Sequence, residues 1–203
     1  MTLYDVLELG DPRLRTISSD VETTAFGTDE LADLVNDLIE TMRNRNGAGI
    51  AAPQIGIAQR ICIIEVNENP RYPYKPTIPL TVLINTQLRS LSDVTISVME
   101  GCLSVPNLRG RVERAAHVEV RAYTAQGEPF TLIAEGLTAG TLQHELDHLD
   151  GLLFIDRIAD SSTLCSTASY NEFIATEFEQ EAGLINARYP RPLETHQGHG
   201  PKI

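Results

Sequence analysis

The 203-residue chain predicts an α+β fold, with mixed and antiparallel strands around a central helix and a further helix towards the C-terminus. Three observations carry this. Short runs rich in β-branched residues, bounded by Gly, Pro and Asn, recur through the first two thirds of the chain. Residues 137–149 place apolar residues on one side of a helix and polar ones on the other. A second helical pattern, acidic and amphipathic, runs from Ser169 to Ala182.

From Asp29 to Arg45, Leu31, Leu34, Val35, Leu38, Ile39 and Met42 recur at three and four, which predicts a helix with Thr28 as N-cap and Gly47 near its end. The next stretch, GAGIAAPQIG, is too punctuated by Gly and Pro for a long element. Residues 60–66 and 79–88 read as strands, and 117–136 as a hairpin turning at Gln126-Gly127. Between the first two strands Pro70, Pro73, Pro76 and Pro79 are spaced three apart, the period of polyproline II. This predicts a stiff extended loop; a docking ligand for a proline-reading domain is the sharper alternative. Leu137 to Leu149 then reads as a helix ended by Gly151, with Ala139, Leu142, Leu146 and Leu149 on one face and His144 and His148 on the other. Residues 1–190 are expected to form one domain, and 191–203, rich in Pro, Gly and His, a poorly ordered tail.

Composition narrows the function. With 28 acidic against 16 basic residues the formal charge is -12, and two of the bases, Lys75 and Lys202, are lysines. That balance opposes a phosphate-binding surface, so nucleic acid is not expected as a direct partner. No apolar run approaches the ~18 residues of a membrane helix, and the N-terminus lacks a basic-then-apolar secretory pattern, which predicts a cytoplasmic protein. Three cysteines, Cys62, Cys102 and Cys165, argue against a disulfide framework and leave room for a thiol with a chemical role.

The chemistry concentrates in LQHELDHLDG, residues 142–151. His144 and His148, four apart, can present two imidazoles to one ion from one helix face. Glu145 flanks that position without displacing a histidine, where a general base for an activated water belongs. Three protein ligands and an open position lower the pKa of a coordinated water from ~16 to roughly 7. A histidine six residues after His148 would mark one protease group, but Phe154 stands there. Two third ligands stay open on the residues alone. Glu172 would make a metalloendopeptidase; Cys102, in a short loop between Gly101 and Pro106, would make a thiolate site. Cys62 and Cys165 read as structural. On ligand chemistry alone Zn is the expected metal.

GAGIAAPQ (47–54), EGCLS (100–104) and QHELDHLDG (143–151) resemble, in order and spacing, the three signature stretches of the peptide deformylases. The resemblance covers roughly residues 1–157. It implies Cys102, His144 and His148 as ligands of one divalent metal per chain, Fe(II) with Zn or Ni as substitutes. It implies Glu145 as general base, and Gln54 with the Leu103 backbone N–H as donors to the developing oxyanion. Gly47 and Gly49 would form the strand edge along which the peptide lies. Glu100 and Arg109 would pair to brace the site and border the methionine pocket, which Leu137, Gly140 and Thr141 would line. The implied reaction removes the N-formyl group of nascent formyl-methionyl polypeptides and releases formate. A family-derived module that binds formylated peptides without turnover is the rival, but it would need neither Glu145 nor Gln54.

The chain departs from the family in two places. Gly140 stands where many members carry a bulkier apolar residue. Many bacterial members end in a basic helix that docks on the ribosome, whereas residues 158–182 here contain one Asp, four Glu and no Lys or Arg. Transient ribosome proximity without a basic docking helix is therefore the expectation.

Overall fold

A computed structural model describes residues 2–197. Helix α1 (Asp29–Asn44) starts where the Thr28 hydroxyl accepts from the Leu31 N–H, and its buried stripe of Leu31, Val35, Leu38 and Met42 packs on Ile50, Ile61 and Ile63. The strands are β1 (Gly49–Ala51), β2 (Ile61–Val66), β3 (Ile78–Leu91), β4 (Thr95–Cys102), β5 (Val105–Ala115), β6 (His117–Tyr123), β7 (Pro129–Glu135), β8 (Cys165–Ser166) and β9 (Leu193–Gln197). One sheet has the order β1-β2-β3-β6-β7-β9 and the other β4-β5-β8, with every neighbouring pair antiparallel. The fold is α+β, as expected.

Helix α2 (Gly136–Leu149) runs between the two sheets. Ala139, Leu142 and Leu149 pack against Val118, Val120 and Leu132 of the larger sheet, while Leu137 joins Val98, Val112 and Phe154 on the smaller sheet's side. Gly136, at φ +56, makes the sharp turn from β7 into this helix. No helix among the described residues is long and apolar enough to cross a membrane.

Four local expectations change. Cys102 does not lie in a loop: it ends β4, and a two-residue turn over Leu103 and Ser104 leads straight into β5. The Pro-rich stretch is not an extended ridge. Backbone bonds from Tyr72 N–H to Asn69 O and from Lys75 N–H to Tyr72 O fold it into two turns, because Tyr72 is buried and its hydroxyl is anchored on Gly101 O at 3.2 Å. The C-terminal helical region is longer than residues 169–182. A first turn (Thr167–Ser169) passes through a π-helical turn (Tyr170–Ile174) into helix α3 (Ala175–Arg188). Of the expected disordered tail, residues 193–197 form β9 against β7, since main-chain pairing to an open sheet edge orders them; the rest lies outside the described residues.

Candidate metal centre and peptide cleft

The face of α2 turned away from its apolar packing brings His144 and His148 together, and the end of β4 brings Cys102 to them. The ligand atoms of Cys102, His144 and His148 all lie within 4.8 Å of one another, with Cys102 Sγ 3.3 Å from His148 Nε2. Glu172 is exposed on the π-helical turn and takes no part in this group. The endopeptidase reading that depended on it is therefore withdrawn.

The surroundings fit a divalent cation. His144 Nδ1 lies 2.7 Å from Glu100 Oε2, so that nitrogen carries the proton and the other is free to ligate. Against burial, which alone would raise it, the imidazoles of His148 and His144 hold the Cys102 thiol well below its ordinary value. Against burial in turn, Glu100 and Cys102 hold His144 well above its own. This thiolate–imidazolium arrangement carries the proton that metal binding displaces. The Ser104 N–H, 3.3 Å from Cys102 Sγ, gives the thiolate a further donor.

Behind the ligands runs a chain of charge that is buried from Glu100 to Asp147 and ends on the exposed Arg157. Glu100 meets Arg114 through two bonds of 2.7 and 3.0 Å, Arg114 meets Asp147 at 2.7 Å, and Asp147 meets Arg157 at 2.7 Å. His144 and Arg114 outweigh burial and pull Glu100 down to about 2, so it stays ionised. The expected partner of Glu100 was Arg109, and strand register explains the difference. Glu100 stands opposite Gly110, so the β5 residues on its face are 110, 112 and 114, while Arg109 points the other way. Arg109 instead donates to Arg71 O and lies between the rings of Tyr72 and Tyr170, away from the cavity.

The centre opens into a cavity. Glu145 and Gln54 both line it. Glu145 is buried, its Oε2 has no hydrogen-bond partner, and burial raises its carboxyl despite the pull of His144 and His148. Gln54 is held by its own turn: Oε1 accepts from the Ala51 N–H at 2.8 Å, which aims Nε2 at Ser104 Oγ and towards Cys102 Sγ. Leu103 lines the cavity from the β4–β5 turn. Gly47 and Gly49 form its rim, where β1 is the last strand of the larger sheet. A Cβ on Gly49 would collide with the Glu145 carboxylate, so only glycine lets that group stand beside the strand. Leu137, Gly140 and Thr141 line the same cavity.

Among the lining residues not anticipated are Tyr72, Tyr74 and Lys75 from the Pro-rich turns, and Phe178 from α3. Tyr74 and Phe178 meet edge to face with ring centroids 4.9 Å apart, and Asn186 of α3 donates to Tyr74 O. The chain thus closes the cleft with two segments whose purpose the sequence did not disclose.

Comparison with known proteins agrees with this geometry. Residues 3–163 match the family described as polypeptide deformylase. The chain is 39% identical over 180 residues to peptide deformylase 1 of Bordetella pertussis, covering 89% of this chain and 99% of that one. It is similar to the Met-Ala-Ser-bound crystal structure of a class I type b peptide deformylase from Acinetobacter baumannii (39% identity, TM-score 0.75, 77% of this chain and 99% of that one). The peptide deformylase of Thermotoga maritima is also similar (32% identity, TM-score 0.70, 79% and 100% covered). With a Cys–His–His cluster beside a buried glutamate, and relatives matched over most of its length, this chain belongs to the polypeptide deformylase family, hydrolases that remove the N-formyl group from nascent chains.

Proposed function

We propose that Cys102, His144 and His148 hold Fe(II), that Glu145 is the general base, and that Gln54 and the Leu103 N–H receive the oxyanion as formyl-methionyl peptides are hydrolysed. The observation that carries this is the unpartnered, buried Oε2 of Glu145 beside the Cys–His–His cluster. A carboxylate left without a hydrogen bond in such a place is poised to accept a proton. A divalent cation held by the cluster supplies Lewis acidity, lowering the pKa of the attacking water and polarising the formyl group.

Glu145 takes one proton from the water as its oxygen adds to the formyl carbon. Negative charge then develops on the formyl oxygen, where the Gln54 amide and the Leu103 N–H donate. Glu145 returns the proton to the amide nitrogen as the C–N bond breaks, giving formate and a free amine. The peptide lies along Gly47 and Gly49, where main-chain pairing is indifferent to sequence. The Met-Ala-Ser bound by the Acinetobacter relative supports a short peptide there. The enzyme meets nascent chains in the cytoplasm by transient encounter, since α3 is acidic and Glu181 is engaged with Arg111.

Glu145→Gln tests the assignment. In anaerobically purified protein the variant keeps near-stoichiometric iron by elemental analysis, while formate release from formyl-Met-Ala-Ser falls ~10²–10⁴-fold. Undiminished turnover would remove Glu145 from the mechanism.

A further inference from the structure

Most arginines of this acidic chain have a carboxylate within 4.0 Å, whereas among the described residues none pairs with Arg71, Lys75 or Arg109. These three cations gather on one ring. The Lys75 ammonium lies 4.7 Å, the Arg109 guanidinium 5.0 Å and the Arg71 guanidinium 5.5 Å from the centre of Tyr72. Burial lowers Lys75 to about 8 against the pull of Glu100 and Glu145, and Arg109 and Arg71 push the same way as burial. Like charges held together are costly, and an anion brought to them relieves the cost.

Arg71 is the member of this group placed to meet one. Its backbone is fixed from two sides: the N–H donates to Asn69 Oδ1 at 2.9 Å, and the carbonyl accepts from Arg109 Nη2 at 3.1 Å. Its half-buried guanidinium makes one long bond, from Nη1 to Arg45 O at 3.4 Å, which leaves most of its N–H donors without a protein partner. Asn69 donates to Asn46 O at 3.1 Å and to Gly47 O at 3.0 Å, so the turn is seated on the outer end of the cavity rim. Arg45, two residues outside Gly47, is half-exposed, and its nearest carboxylate is the fully exposed Asp5 at 3.8 Å.

We infer that Arg71, with Arg45 beside it, favours formyl-methionyl chains that carry a carboxylate, Asp or Glu, on the third residue. The inference rests on the deformylase reading and names a substrate class of that same site. Gly49, beside Glu145, marks the reacting end of the rim, and Gly47 the end by which the peptide leaves. Side chains of an extended peptide alternate, so the first and third point to the same side about 7 Å apart. Lys75 donates to Thr141 Oγ1 at 2.7 Å, so the turn that carries Arg71 closes the side of the cavity that takes methionine. The third side chain therefore faces Arg71, further out along the same wall. A carboxylate there can accept two parallel N–H bonds from a guanidinium. Main-chain pairing still holds every peptide; the arginines bias the choice among them. The formal charge of -12 works the other way, repelling acidic peptides at long range, so a preference for them has to come from these local cations.

The test measures kcat/KM of the metal-loaded enzyme on amidated formyl-Met-Ala-X-Ala, with X as glutamate, aspartate, glutamine or lysine, and on the same set with X moved to the second position. Amidation removes the terminal carboxylate that would compete for the arginines. At low salt an acid in third place should exceed glutamine by roughly 3–10-fold, with lysine last, the range of a partly exposed charge-assisted pair. The difference should lie mainly in KM and shrink as salt is raised. Arg71→Gln should reduce the acid-to-glutamine ratio and Arg71→Glu should put lysine first, whereas a merely structural role for Arg71 would lower all peptides alike. Four results would overturn the inference and leave the deformylase reading intact: lysine leading in the wild type, no order at all, a preference confined to the second residue, or an acid preference that survives Arg71→Glu. Should Arg71→Glu fail to fold, the wild-type order and Arg71→Gln decide the matter alone. Absence of formate from every peptide would instead sink the deformylase reading and this inference with it.

Discussion

At the metal end of the cavity His144 and Gln54 are each tied to a side chain of another element, whereas at the side-chain end Lys75 rests on one hydroxyl and the face of a tyrosine. His144 leans on Glu100 of β4, Glu100 on Arg114 of β5, and Arg114 on Asp147 one turn further along the histidine helix. That circuit joins both strands of a hairpin to the helix between the sheets, so the imidazole cannot turn without breaking buried ion pairs. The other end is assembled from a loop and a helix that meet through Tyr74 and Phe178. The difference separates two tasks. Bond cleavage needs groups fixed to fractions of an ångström. Choice of side chain can be altered by residues outside the signature motifs.

The largest effect should come from breaking the circuit at its middle. Arg114→Met keeps most of the side chain's volume but leaves Glu100 and Asp147 facing each other with fewer counter-charges. Removing one partner of a buried pair costs about 3–5 kcal/mol. For a chain of this size that corresponds to a fall in Tm of roughly 6–20 °C. Calorimetry of the metal-loaded variant reads this directly. A melting point within about 2 °C of the wild type would show that the ion-pair chain is not what holds the metal end.

A smaller and more local effect is expected from Glu100→Gln. The amide can still accept from His144 Nδ1, but without the charge that fixes the tautomer and strengthens the ligand. Loss of such a carboxylate behind a metal-bound histidine lowers metal affinity ~10–100-fold. Competition with a chelator measures it, and an unchanged affinity would mean that the hydrogen bond, and not the charge, is what Glu100 gives the histidine.

Part of the metal end was legible in the sequence because two members of its cluster obey local spacing; Cys102 does not, and on the residues alone it stood beside Glu172 as one of two choices. Two histidines four apart on a helix announce themselves, and α1 and α2 follow their 3.6-residue period closely. The circuit behind them was not legible. Arg114 reaches Glu100 only through the register of a hairpin, and the stretch between Gly101 and Pro106 reads as a short loop, with no strand read on either side of it. An arginine on the inward face of β5 also spoils the alternation by which a half-buried strand is recognised. Lys75 was still further from reach. Its place depends on Tyr72 and Tyr74 docking a proline-rich loop onto β4 and α3, which no local pattern encodes.

The smallest expected effect sets two glycines of the same cavity against each other. A methyl group on Gly49 would run into the Glu145 carboxylate, while one on Gly140 would meet Val98 at 3.5 and 3.7 Å and Arg114 at 3.9 Å, ordinary contact distances. Gly140 lies inside α2, where glycine costs about 0.5–1 kcal/mol relative to alanine through the freedom it keeps in the unfolded chain. Gly140→Ala should therefore stabilise the protein by about that amount, raising Tm by roughly 1–4 °C. Its metal content should stay at the wild-type level, because the methyl group faces Val98 and not the ligands. The added bulk falls on the wall of the side-chain subsite, so any change in kcat/KM should differ between peptides with different first residues. A uniform loss across all first residues, or a loss of metal, would show that the two ends of the cavity are coupled through α2.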